Sequence, residues 1–300
     1  MALVILFVSG FAVVRADVLG MGERFDRWAG RVGAIIDPPP DRSTIPTVVV
    51  TPEPSPSPTP RPTEASNAPS TTPTPSPTPL VRAPVDVTIV DDHQAVFASQ
   101  FTTDDCAVAG TQMVLAILGL GNTSPEFQAE IKSRIGEWES LEDSRNGGWG
   151  PAAVSLALAA YGAPGYEIRA YESHLDALRG AATAMSATGK PVVFFPWWGA
   201  HTWVMTGYRA DADPLLFTDA NVSGLYILDP WYPRFSTIWG QSDGPGNFED
   251  LAEMERNWPA GAGPPGFEAV GPGWTRPEGF YPDRDGKYVV LVPTIPLADG

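Results

Sequence analysis

The pattern of hydrophobic and polar positions divides the chain into three parts. Residues 2–14 form a nearly continuous apolar run, residues 38–84 contain few apolar side chains, and residues 85–300 alternate between apolar runs and short polar connections. Only the last part has the periodicity from which a packed core can form. We therefore expect one folded domain over 85–300, preceded by segments outside its core.

Within this domain, predicted helices come first and most predicted strands come later. Apolar residues at helical spacing predict helices over 106–118, 124–138, 151–161 and 174–185. Short runs rich in β-branched and aromatic residues predict strands, namely VDVTIV, PVVFFPWW, HTWVMTGY, GLYILDPW and KYVVLVP. Such segregation indicates an α+β fold in which helices pack on an antiparallel sheet. The Gly-, Pro- and Trp-rich segment 241–280 predicts long inserted loops.

The first residues predict export from the cytoplasm. The apolar run 2–14 has 13 residues and precedes Val14-Arg15-Ala16, a small-residue site suited to cleavage. A membrane span needs about 20 apolar residues. We therefore expect a signal peptide or membrane anchor over 1–16, and either implies an extracytoplasmic protein, secreted or anchored at the cell surface. A buried N-terminal helix is the alternative, but 17–37 supply only a short amphipathic segment.

The segment 38–84 is predicted to be a disordered linker rich in Pro, Ser and Thr. It holds 16 of the chain's 33 prolines. Proline fixes φ and lacks an N–H donor, so it opposes both helix and sheet. Few apolar groups remain to offset the entropy of ordering. An extended chain of this length would reach about 145 Å, which suits attachment of the domain to a membrane or cell wall through the N-terminus.

The charge distribution indicates which kinds of partner the domain can bind. Basic and acidic residues balance before residue 85, seven of each, so residues 85–300 carry the whole net charge of −16. Such a domain repels phosphate backbones, which argues against a nucleic-acid partner. Asp211, Asp213 and Asp219 lack the spacing of a calcium loop and predict a polar hairpin. No nucleotide-binding motif is present, and we expect no cofactor.

Cys106 is the only cysteine, so it cannot form an intramolecular disulfide. A free thiol is a liability in an exported protein unless it has a function. Asp104 and Asp105 are good helix caps, which places Cys106 in the first turn of a helix, where free N–H groups stabilise a thiolate. Gln100 lies six residues upstream and could donate to an oxyanion together with the Cys106 N–H.

A thiolate nucleophile needs a base, and the chain has three histidines. His174 falls in an amphipathic helix, on its predicted solvent face, and His93 lies in a polar turn. His201 enters an apolar strand after small residues that leave room for a ligand, which makes it the best candidate. Trp197, Trp198, Trp203 and Trp231 are close to it in sequence and allow either an aromatic cleft or core packing.

Asp229 is the predicted third member. It ends the apolar strand LYIL, where an unpaired acid would be costly to bury. In a neighbouring strand, its carboxylate could accept the Nδ1–H of His201 and fix the tautomer. A turn-forming Asp-Pro is the alternative. Zinc binding by Cys106, His201 and Asp229 is disfavoured because no paired ligand spacing accompanies the lone cysteine.

These motifs resemble the cysteine peptidase family 39-like domain, a branch of the papain-like fold related to bacteriocin-leader-processing peptidases. The resemblance covers about 85–295: Gln100 and Asp105-Cys106 at a helix start, GAHTWVMTGY, and ILDP. It implies that Cys106 is the nucleophile, His201 the base, Asp229 the third member and Gln100 the oxyanion donor.

The predicted function is hydrolysis of peptide or isopeptide bonds in a peptide or protein substrate. Acyl transfer or amidase action would use the same residues. A catalytically silent binding module mounted on a stalk is the alternative from another class.

Overall fold

The computed structural model describes residues 32, 36–37, 45–52, 80–140, 143, 149–236, 239–258, 283–284 and 286–297. The predicted signal or anchor over 1–16 lies outside the described residues, as do nearly all of 17–37 and residues 53–79 of the predicted linker. Within the described part, no helix is long and apolar enough to cross a membrane.

The described chain forms an α+β domain around one mixed sheet. In chain order the elements are β1 (Thr47–Val50), β2 (Val85–Thr88), α1 (Cys106–Ile117), α2 (Pro125–Ser133), a 3₁₀ turn (Ile135–Glu137), α3 (Pro151–Ala160), β3 (Tyr166–Tyr171), α4 (His174–Thr188), β4 (Val192–Phe194), a 3₁₀ turn (Trp197–Gly199), β5 (Trp203–Ala210), β6 (Val222–Leu228), β7 (Phe235–Ser236), β8 (Gly240–Gln241), β9 (Asn247–Asp250), α5 (Leu251–Asn257) and β10 (Tyr288–Pro293).

The strands of the main sheet run in the order β1-β3-β10-β4-β5-β6-β9, and β2 pairs with the end of β5. Every pair is antiparallel except β1 with β3, which is parallel. The sheet is therefore mixed, and the prediction of an antiparallel sheet is wrong at this one edge. β7 and β8 form a separate two-stranded ribbon.

Helices cover both faces of the sheet because its central strands are apolar on both sides. In β4 and β5, Val193 and Val204 face a core built with α1 and α3. Phe194 and Met205, their chain neighbours, face a core built with α4 and α5. Side chains alternate between faces along a strand, so the unbroken apolar runs in the sequence correspond to strands buried on both sides.

Two predicted boundaries are wrong. Thr47–Val50 lies within the predicted linker 38–84 yet forms strand β1, because three consecutive valines pair with the open edge of β3. The predicted loop segment 241–280 begins with structure: β9 adds to β6 and α5 buries Met254 in the core. Residues 259–282 of that segment lie outside the described residues.

Candidate active site

Cys106 is the first residue of α1 and is buried. The helix begins CAVAGTQMVL, and all ten of these residues are buried. This apolar surface on every side drives α1 into the core between α3, α2 and the sheet. The nucleophile candidate is thereby fixed on a rigid element.

The start of α1 differs from the predicted cap. Asp105 occupies the N-cap position, but its side chain makes no capping bond. Its carboxylate instead accepts the Thr102 N–H at 3.1 Å and forms an ion pair with Lys132 at 2.7 Å. Lys132 thus neutralises a buried charge beside the thiol. The first N–H groups of a helix, here beginning with that of Cys106, have no intrahelical acceptor.

His201 and Asp229 form a buried pair. His201 Nε2 lies 2.7 Å from Asp229 Oδ1, and the two side chains are 2% and 3% exposed. The register of β5 against β6, which pairs Val204 with Leu228, brings the residues preceding β5 and following β6 to the same end of the sheet. The Trp231 N–H also donates to Asp229 Oδ1, at 2.8 Å, and holds the carboxylate in place.

The ring nitrogen that meets Asp229 is Nε2, so the predicted bond through Nδ1 is wrong. The sequence placed the two residues on adjacent strands, but the side-chain rotamer of His201 decides which nitrogen faces the neighbour. Nδ1 is left on the other side of the ring. Cys106 contributes to the electrostatic environment of His201, and its Sγ lies 4.0 Å from the carbonyl oxygen of Ala200, the residue before His201.

The surroundings of His201 favour its charged form. Complete burial by itself lowers the pKa of an imidazole. The charge and hydrogen bond of Asp229, followed by the hydrogen bond and charge of Cys106, outweigh this effect and raise the pKa of His201 to about 9. The site therefore shifts the protonation equilibrium of His201 toward the imidazolium.

Gln100 is buried at the edge of the site, 2% exposed. Its backbone N–H donates to the Pro230 carbonyl oxygen at 2.9 Å, which ties it to the residue after Asp229. Its side-chain Nε2 donates to the Thr102 carbonyl oxygen at 2.7 Å, and its Oε1 has no hydrogen-bond partner among the described residues. An amide nitrogen carries two N–H groups, so one remains after the bond to Thr102.

The other two histidines lie elsewhere. His93 is half-buried, and its Nε2 meets the Thr206 hydroxyl at 2.9 Å. His174 opens α4 and is buried, contrary to the predicted solvent-facing position, because the rings of Trp258 and Tyr288 cover it. Within the described part of the chain, neither ring nitrogen has a hydrogen-bond partner, and burial lowers the pKa of His174.

Aromatic rings enclose the histidine. Trp197 stacks on His201 at a centroid distance of 4.1 Å and an angle of 16°, and Trp239 stacks on the far side of Trp197 at 5.5 Å. Trp231 stands perpendicular to His201 at 6.3 Å. Trp197 has a φ of 56°, a strained value for a bulky residue. The side chain of Trp198 lies outside the described part of the chain.

Trp197 is held by Asn257, whose Oδ1 accepts its indole N–H at 3.3 Å. Trp239 and Asn257 are not among the site residues predicted from the sequence, because one flanks and the other lies in the segment predicted to be loops. The helical spacing of Leu251, Met254 and Trp258 was the available signal for α5. Asn257 in α5 is thus connected to His201 through the ring of Trp197, which stacks on the histidine.

Acidic groups surround the outer side of Asp229. Asp243 lines the same small cleft as Asp229, Trp203 and Trp231. Burial raises the pKa of Asp243, and the charges of Glu253 and Asp229 add to this effect. Burial also raises the pKa of the neighbouring Glu249 to about 7, with a contribution from Asp243.

Among the described residues, no group of three or more His, Cys, Asp or Glu side chains is arranged to hold a metal ion. Comparison of the chain with protein-family models, curated proteins and solved structures gave no match.

Proposed function

We propose that this protein is a cysteine peptidase that cleaves peptide or isopeptide bonds, with Cys106 as nucleophile and His201 as base. The observation that carries the proposal is the placement of the only cysteine at the start of a buried helix. Its Sγ lies 4.0 Å from the backbone of Ala200, the residue before a histidine whose Nε2 is bonded to a buried aspartate. We also propose that the domain is a papain-like variant, since a helix supplies the thiol and neighbouring strands of a sheet supply the other two residues.

The chemistry follows from these positions. Asp229 fixes the ring orientation through Nε2. In the proposed mechanism, Nδ1 takes the proton of the Cys106 thiol, which gives a thiolate–imidazolium pair. The resulting thiolate attacks the carbonyl carbon, and the C–O π electrons move to oxygen. The Cys106 N–H and the remaining N–H of Gln100 donate to this oxyanion. His201 then protonates the leaving amine, and water releases the acyl group by the reverse sequence.

An extracytoplasmic location and a peptide or protein substrate belong to the same proposal. The apolar run 2–14 supports export, and the acidic domain charge argues against nucleic acid as substrate. Acyl transfer to an amine in place of water would use the same four residues. Product analysis by mass spectrometry distinguishes hydrolysis from transfer.

The test is turnover of a mixed fluorogenic peptide library by single variants. Cys106→Ala should abolish turnover, because the described site offers no second thiol. His201→Ala should reduce it by about 10³-fold or more, since both the base and the leaving-group acid are lost. Gln100→Ala should cost about 10²–10³-fold, the usual loss for one oxyanion donor.

The matched controls are His93→Ala and His174→Ala, which remove histidines outside the site. Turnover that survives His201→Ala but disappears in either control would contradict the assignment of the base. A wild-type protein that binds peptides without cleaving any would favour the silent binding module instead.

A further inference from the structure

Arg234 connects two loops of the candidate site that are far apart in the sequence. Its Nη2 donates to the carbonyl oxygens of Gln100 at 2.8 Å and Phe101 at 2.7 Å. Its guanidinium also lies over the Trp231 ring, 5.3 Å from the centroid. Arg234 follows Asp229 by five residues, so one side chain connects the loop after the aspartate to the segment that carries Gln100.

Hydrogen bonds to Arg234 and to a few other residues hold the segment that carries Gln100 in position. Residues 97–100 belong to neither helix nor strand. The backbone of Gln100 bonds to Pro230, and the Phe101 N–H donates to Gln128. The side-chain amide of Gln100 donates to the Thr102 carbonyl oxygen, within the same segment. Arg234 therefore holds the carbonyl of Gln100 itself and that of the next residue, Phe101. These contacts restrain the backbone from which the Gln100 amide extends.

We propose that Arg234 is a positioning residue for the oxyanion site, acting through Gln100. This inference rests on the proposed function. An arginine suits this role because its planar guanidinium presents several donors in a fixed geometry, whereas a lysine ammonium is a point charge on a flexible stem. The oxyanion forms only in the transition state, so loss of the clamp should lower kcat and leave KM nearly unchanged.

The test compares Arg234→Gln, Arg234→Lys, Gln100→Ala and the double variant Arg234→Gln/Gln100→Ala. The substrate is a peptidyl aminomethylcoumarin that the wild type cleaves. We expect Arg234→Gln to lower kcat about 10–100-fold and Arg234→Lys to recover part of this loss. In the double variant, Arg234→Gln should cause no further loss, because the residue through which it acts is absent. Arg209→Gln, which removes a surface arginine paired with Asp86, is the matched control.

Two reagents that react with the thiol distinguish a loss of oxyanion positioning from general damage to the site. A peptide aldehyde forms an oxyanion when Cys106 adds to it, so its affinity should fall in Arg234→Gln. Iodoacetamide is attacked at a saturated carbon and forms no oxyanion, so its alkylation rate should equal that of the wild type. The aldehyde experiment requires binding alone and does not depend on turnover.

Equal aldehyde affinity and equal kcat in the wild type and Arg234→Gln would overturn the assignment while leaving the proposed function intact. A further loss in the double variant equal to the loss in the single variant would also overturn it, because Arg234 would then act independently of Gln100. If Arg234→Gln loses its fold, Arg234→Met decides, because methionine keeps an unbranched side chain but has no N–H donor. Unchanged kcat and aldehyde affinity in that variant would count against the clamp. A wild type with neither turnover nor aldehyde binding would overturn the proposed function and this inference together.

Discussion

At the scale of single residues, the His201–Asp229 pair determines how the site responds to pH. Asp229 bonds to Nε2 and thereby leaves Nδ1 as the ring nitrogen available for proton transfer. The aspartate offsets the desolvation of a fully buried imidazole and, with Cys106, raises the pKa of His201 to about 9. The charged pair thus stabilises the folded protein below pH 6.5, and this contribution is lost as the pH rises through about 9.

We expect the alkaline limb of kcat/KM to reflect this imidazolium, which protonates the leaving amine. Activity should persist to about pH 9 in the wild type and begin to fall at a lower pH in Asp229→Asn, because the amide keeps the hydrogen bond and loses the charge. The measurement is the pH–rate profile of both proteins. Asp86→Asn, at a surface aspartate paired with Arg209, is the control. An unchanged alkaline limb in Asp229→Asn would show that Asp229 does not govern the ionisation of His201.

The four candidate residues could be selected from the sequence because each stands out from its surroundings. Cys106 is the only thiol, and His201 and Asp229 each interrupt or end an apolar run. What the sequence could not provide was side-chain direction. The choice of Nε2, the absence of a cap from Asp105 and the burial of His174 all depend on rotamers and on distant neighbours such as Lys132 and Tyr288.

At the scale of elements, the distance between α1 and β5 sets the distance between thiol and imidazole. Gly110 lies one turn after Cys106 and faces Thr202, the residue after His201. A Cβ at Gly110 would lie 2.7 Å from Thr202 Cγ2 and 3.6 Å from Thr202 Cβ. The glycine therefore permits a close approach of helix and strand beside the site.

We expect Gly110→Ala to lower kcat/KM about tenfold or more, because a displacement of about 1 Å at a catalytic site can cost 10²-fold. The loss of activity should exceed the loss of stability. In the free energy of unfolding, the clash is partly offset because alanine favours a helix by about 1 kcal/mol over glycine. Adding Thr202→Ser removes the clashing methyl group and should restore most of the activity. The measurements are steady-state kinetics and urea unfolding.

Gly136→Ala is the matched control, because a Cβ there meets no atom of another described residue within 4 Å. A double variant as inactive as Gly110→Ala would contradict the steric explanation. Wild-type activity in Gly110→Ala itself would show that the helix position tolerates the added methyl group.

Helices and strands after residue 85 were predictable where apolar periodicity is strong. The predicted helices 106–118 and 151–161 correspond closely to Cys106–Ile117 and Pro151–Ala160. Predictions failed where tertiary pairing decides the outcome. The valines of β1 form a strand only because β3 offers an open edge, and β9 only because β6 does.

At the scale of the whole molecule, β1 connects the segment before residue 53 to the domain. It pairs with β3 in parallel, Val50 and Ile45 contact the cores on opposite faces, and Arg284 donates to the Thr47 hydroxyl at 3.1 Å. The functional domain therefore includes residues from within the predicted linker.

We expect a fragment of residues 45–300 to be more stable than a fragment of residues 80–300 by about 1–3 kcal/mol, from partial burial of two aliphatic side chains and the strand pairing. Urea unfolding of the two fragments measures the difference. Both should retain the site, because β1 lies at the far edge from β5 and β6. Equal midpoints and slopes would show that β1 contributes nothing to the domain in solution.

The most direct test of the central claim is the rate of alkylation of the protein by iodoacetamide between pH 5 and pH 10. Because Cys106 is the only cysteine in the chain, thiol alkylation measures the reactivity of Cys106 alone. If His201 holds the thiol as an ion pair, alkylation should already be fast at pH 6, and His201→Ala should abolish this fast reaction. An ordinary thiol reacts appreciably only as the pH approaches about 8.5. A wild-type rate that rises only in that range, unchanged in His201→Ala, would contradict the assignment of Cys106 and His201 as a catalytic pair.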